Sequence, residues 1–126
     1  MSKAILALGL AIAMAVALAQ GLPDRKPIAV QVVNGQALVP EDHAFTTAAE
    51  GALIWHLSGT GYQFAVNGIV VASNGLHECS AIMSGQGFRC RKVKHVPGAT
   101  YKYTVNLVDS ATKKPLRPLD PFIVNN

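Results

Sequence analysis

The chain has 126 residues, eleven Lys and Arg against seven Asp and Glu, and two cysteines. That length is one domain with a core of its own. A net charge of +4 is too small to imply nucleic acid, and no aromatics are interleaved with the basic residues for base stacking.

Met1-Ser2-Lys3 is a short positive start, and Ala4 to Leu18 is apolar without a charge. Ala17-Leu18-Ala19 supplies small residues on either side of a leucine. The order of these parts predicts a signal peptide over 1–19, removed on export. The apolar run is shorter than the ~20 residues a spanning helix needs. No later stretch is apolar enough to span, so no membrane span is expected after cleavage.

Gln20 to Pro27 reads as a flexible leader, and 28–126 as a single β-sandwich domain. Ile28 to Val33 and Gln36 to Val39 flank Asn34-Gly35, a strong hairpin signal because both turn residues tolerate positive φ. The two-residue turn sets Val33 opposite Gln36, and Val32 opposite Ala37. It gathers Val30, Val32, Ala37 and Val39 on one buried face. Thr47-Ala48-Ala49-Glu50 matches a helix capping box, but Gly51 follows and no helical repeat continues. Ala44 to Ala48 is therefore read as an edge strand or loop.

Leu53, Trp55 and Leu57 share one face of the next strand, with His56 on the other. After the corner at Ser58 to Gly61, Tyr62, Phe64 and Val66 resume the alternation. A core around the single tryptophan is the expected organising feature. Asn67-Gly68 and Asn74-Gly75 read as further turns, and Leu76 to Gly87 as loop, compatible with a short helical turn over Cys79 to Met83. In Phe88 to Val96, Val93 falls out of phase with Phe88 and Cys90, which points to a bulge or an edge strand. Tyr101, Tyr103, Val105 and Leu107 alternate cleanly, and Phe122 to Val124 makes a terminal strand. Short strands, frequent turns and no amphipathic helix predict an all-β, antiparallel sandwich.

Two strands carry a family resemblance. Glu50-Gly51-Ala52-Leu53-Ile54-Trp55 resembles the Gly-x-x-Val/Ile-x-Trp strand of cupredoxin-like proteins. Gly98-Ala99-Thr100-Tyr101-Lys102-Tyr103-Thr104-Val105 resembles their Gly-x-Tyr-x-Tyr-x-Cys strand, with one extra residue after the glycine. Exported bacterial proteins look similar in the same places. The resemblance implies a cupredoxin-like or immunoglobulin-like sandwich. Its copper ligands do not carry over: Val105 stands where the Cys belongs, and no His or Met occurs from Tyr101 to Asn126. No cofactor is expected. His43 and His77 are the weak candidates for a different metal site, which would make the chain a periplasmic copper or zinc carrier.

Cys79 and Cys90, an even count in an exported chain, are expected to form a disulfide. The competing reading, a metal or reactive thiol pair, lacks a zinc-like spacing. No Gly-x-Ser-x-Gly elbow occurs, and the adjacent acidic pair Glu41-Asp42 would point to opposite faces of a strand, so no catalytic residue is nominated. Arg89, Arg91, Lys92, Lys94 and His95 form the one concentrated basic cluster. It reads either as charge protecting an edge strand or as a contact surface for an acidic partner. The leading expectation is a non-enzymatic binding protein of the bacterial periplasm or envelope, of the inhibitor or immunity type. Its partner would be a protein or an anionic envelope component.

Overall fold

The computed structural model describes residues 21–72 and 76–126, without the side chains of Leu76 and His77. The expected signal peptide and the Asn74-Gly75 turn lie outside the described residues. Among the described residues there is no α-helix, and none of their helices is long and apolar enough to cross a membrane.

Among the described residues, nine strands make two sheets. They are β1 (Ile28–Val33), β2 (Gln36–Leu38), β3 (His43–Thr46), β4 (Ala52–Leu57), β5 (Tyr62–Val71), β6 (Leu76–Ile82), β7 (Gly87–Lys92), β8 (Thr100–Asp109) and β9 (Phe122–Asn125). One sheet runs β2-β1-β4-β7-β6, the other β3-β9-β8-β5. Most neighbours are antiparallel, but β1–β4 and β3–β9 are parallel. The sandwich is thus built of two mixed sheets.

The first hairpin has the register its turn dictates: Val33 pairs with Gln36 and Val32 with Ala37. Asn34 and Gly35 hold φ of 52° and 72°, the left-handed values such a turn needs. Leu53, Trp55 and Leu57 face inward from β4 and meet Tyr103, Val105 and Leu107 of β8 in one cluster. The Trp55 and Tyr103 rings lie 5.2 Å apart at 60°, joining the sheets at the centre of the core. Each ring removes roughly 150–250 Å² from water, a dominant share for a domain this size.

Several expectations are corrected. Leu76 to Gly87 is not a loop: β6 occupies its first half, paired with β7, and a three-residue 3-10 turn, Met83–Gly85, connects them. The basic strand is not an edge, because β7 lies between β4 and β6. It ends at Lys92, so Val93 falls out of phase simply because it follows the strand. The register shift sits instead in β6, between His77 and Ser80. Asn67-Gly68 is not a turn but part of an irregularity inside β5. There Val66 swings fully into solvent, and Gly68 passes under Phe88 so closely that a Cβ would stand 2.8 Å from the ring. The leader is tied down as well: Arg25 N donates to Ala52 O, and Gly51 N to Pro23 O, both at 2.8 Å.

Candidate functional site

The disulfide forms between Cys79 on β6 and Cys90 on β7, with Cα atoms 4.1 Å apart. Cys90 is fully buried, and Cys79 packs partly against the core. The bond spans the irregularity in β6, where Glu78 holds a left-handed φ of 53°.

The basic cluster is real in sequence but largely committed within the molecule. Arg89 and Arg91 point outward from β7. Arg89 pairs with Asp24, Nη2 to Oδ1 at 3.0 Å, and Arg91 with Glu78 at 3.0 Å. The Asp24 carboxylate bonded to it raises the pKa of Arg89 further. Lys92 turns inward instead. Its Nζ donates to Thr47 O at 2.7 Å and Thr46 Oγ1 at 3.0 Å, and lies 3.1 Å from His95 Nδ1. Thr46 Oγ1 in turn donates to Glu50 Oε1. His95 Nε2 is 2.6 Å from Asn126 O. Nδ1 accepting from the ammonium leaves Nε2 protonated and able to donate. Burial lowers the pKa of Lys92, and Glu50 opposes that shift. Two of the ammonium's contacts therefore fasten β7 to the end of β3, and the third holds His95 in the segment after β7. Of the five residues, Lys94 remains exposed without a side-chain partner among the described residues.

The capping-box residues also have a use without a helix. Glu50 Oε1 accepts from Thr47 N at 2.9 Å and closes a single turn beside Lys92.

The weak metal candidates stand on different sheets. His43, on the outer strand β3, stacks on Phe122 at 4.7 Å and lies 3.1 Å from Asp42. The backbone of His77 on β6 pairs with Arg91, and the rest of that expectation lies outside the described residues. Among the described residues no three His, Cys, Asp or Glu are grouped so as to hold a metal. Val105, at the place of the cupredoxin cysteine, is fully buried in the core.

A surface the sequence did not nominate lies where the first hairpin meets the 115–120 arm. The arm runs beside β8, with Leu116 N donating to Leu107 O at 2.9 Å and Val105 N to Leu119 O at 2.8 Å. Arg117 bridges to Gln36 at the edge strand β2, so the arm closes the gap between the sheets. Two concavities open there, of about 270 and 380 Å³. The first is lined by Arg117 to Asp120, the second by Val33, Asn34 and Leu38, and both by Gln36 and Ala37. Hairpin register puts Val33 and Leu38 on the same outward face, and they are 47% and 43% exposed. Arg117 makes no side-chain bond or ion pair among the described residues. Asp120 is already held, accepting from Thr104 Oγ1 at 2.8 Å with Lys102 Nζ at 3.7 Å. The two concavities thus adjoin at Gln36 and Ala37, with exposed Val33 and Leu38 lining one and the uncommitted guanidinium of Arg117 the other. The legible trace of this surface in the sequence is Arg117.

Compared with known proteins, the chain matches no family model and no curated relative.

Proposed function

We propose that the chain is an exported, non-enzymatic binding protein that engages a partner through the groove between the β1–β2 hairpin and the 115–120 arm. The observation that carries this reading is the pairing of exposed Val33 and Leu38 with unbonded Arg117 around two concavities sharing Gln36 and Ala37. Apolar side chains at the centre, polar groups at the rim and an arginine among the contacts are the make-up of a protein interface. Export is supported by the apolar leader in the sequence and by the disulfide, a bond favoured in oxidising compartments.

Affinity capture from bacterial envelope extracts tests the reading. The wild-type protein retains a specific partner at physiological salt, and Leu38→Asp loses it while Val66→Asp does not. Equal capture by both variants would remove the groove from the account. Turnover of a small substrate without any captured partner would replace binding with catalysis.

A further inference from the structure

We infer that Cys79 is a site of thiol–disulfide exchange, at which an external thiol opens the bond to Cys90 and frees β6 while the rest of the sandwich stays folded. The site is separate from the groove, which lies at the opposite edge of the five-stranded sheet. The two sulfurs are not equivalent. Cys90 has no exposed surface and belongs to the core, whereas Cys79 is partly exposed on the edge strand β6. An attacking thiolate reaches Cys79 from solvent, but would have to enter the core to reach Cys90. The strand that carries Cys79 is also weakly held. Of its described side chains, Glu78, Ser80 and Ala81 are exposed and Cys79 and Ile82 half-buried, so none is fully buried. Its ladder to β7 is interrupted between His77 and Ser80, where Glu78 and Cys79 lie. Glu78 holds a φ of 53°, a left-handed value that a residue other than glycine adopts at a cost. Its ion pair with Arg91 joins two side chains that are more than half exposed, where such a pair adds little. A strand with a broken ladder, little burial and a strained link opens locally before the whole domain does.

The external thiolate attacks Cys79 Sγ and forms a mixed disulfide with it. The bond to Cys90 breaks, and its electron pair goes to Cys90 Sγ, which takes a proton from water and stays in the core as a thiol. Where the attacker is a dithiol, its second thiolate attacks the mixed disulfide and releases Cys79 as a thiolate. The dithiol leaves oxidised, and the protein keeps both electrons as two reduced cysteines.

Two probes test this on the folded, oxidised protein: the monothiol 2-mercaptoethanol and the dithiol dithiothreitol. After 2-mercaptoethanol and an acid quench, mass mapping should find the adduct on Cys79 alone, with Cys90 recovered as a free thiol. The rate should stay level as urea is added up to the start of unfolding. Reduction by dithiothreitol should move the amide resonances of 78–92 and leave those of β1 and β2, at the far edge of the sheet, in place. Glu78→Gly removes the left-handed cost and should need about fivefold more thiol for the same extent of reduction. Glu78→Gln keeps that cost while losing the charge, and should match wild type. No reaction in the folded protein, an adduct on Cys90, or a rate that climbs with urea in step with unfolding would each overturn the assignment. So would loss of the β1 and β2 resonances on reduction, or Glu78→Gly reduced as readily as wild type.

Discussion

Lys92 Nζ donates to Thr46 Oγ1 across 3.0 Å, and so joins the five-stranded sheet to the four-stranded one. Thr46 is fully buried, and the same ammonium reaches Thr47 O and His95 Nδ1. Replacing Lys92 by methionine keeps the stem and removes all three donors. The expected loss is about 1.5–3 kcal/mol, the range for hydrogen bonds to a charged group. Urea unfolding should show a lower midpoint with an unchanged slope. Stability equal to wild type would mean that the lysine is merely a surface charge.

The disulfide fastens the outer strand β6 to β7 across an irregular stretch of the ladder. Cys79→Ala together with Cys90→Ala should lower stability by roughly 2–3 kcal/mol through loop entropy. At ~4–8 °C per kcal/mol the thermal midpoint should fall on the order of 10–20 °C. Protease should then cut first within β6 or the turn after it. Thiol titration of the folded wild type should find no free cysteine.

Tyr103 gives the molecule a signature at high pH. Burial pushes its hydroxyl up to about 12 from 10.0, while the nearby indole of Trp55 acts the other way. Neither Tyr103 Oη nor Trp55 Nε1 has a hydrogen bond of ordinary geometry. Between pH 10 and 12 the unfolded chain releases a proton that the folded chain keeps. The stabilisation from a neutral Tyr103 is thus complete below pH 10 and is lost as pH rises toward 12. Tyr103→Phe should lose less stability over that window. At neutral pH it should lie within about 1 kcal/mol of wild type, since it removes an unpartnered polar atom. Parallel alkaline unfolding curves for the two proteins would refute this.

Gly68 is held by contact rather than by a turn. A methyl group there would lie 2.8 Å from Phe88 and 2.9 Å from Phe64 Cβ. Phe64 and Phe88 also pack on each other at 5.6 Å, so neither ring has room to yield. Gly68→Ala should cost about 1–3 kcal/mol by overpacking. Gly59→Ala, with open space at its Cβ but a φ of 89°, separates backbone strain from crowding. A milder effect at Gly68 than at Gly59 would reverse the assignment.

The parts of the fold that were legible follow from alternation and turn chemistry. Asn34-Gly35 determined a register, and Trp55 and Tyr103 alternate cleanly within their strands. β6 was not legible because His77-Glu78-Cys79-Ser80 has no apolar period. Its extended form comes from pairing with β7 and from the disulfide. Gly68 misled because a glycine needed for close approach looks the same in sequence as one needed for a turn. The pairing of the basic cluster was not legible for a longer-range reason. Arg89 and Arg91 were visible, but Asp24 lies 65 positions from Arg89 and declares no relation to it. The groove was hidden likewise, since only folding sets Arg117 beside Gln36.

Site-specific photo-crosslinking in living bacteria tests the groove most directly. A photoreactive phenylalanine analogue is placed at Leu38 in one variant and at the fully exposed Val66 in another. The expected result is one discrete adduct from position 38, absent from position 66 and weakened when Arg117 is changed to glutamine. The same adduct from both positions, or one from position 66 alone, would contradict a partner seated between the hairpin and the arm.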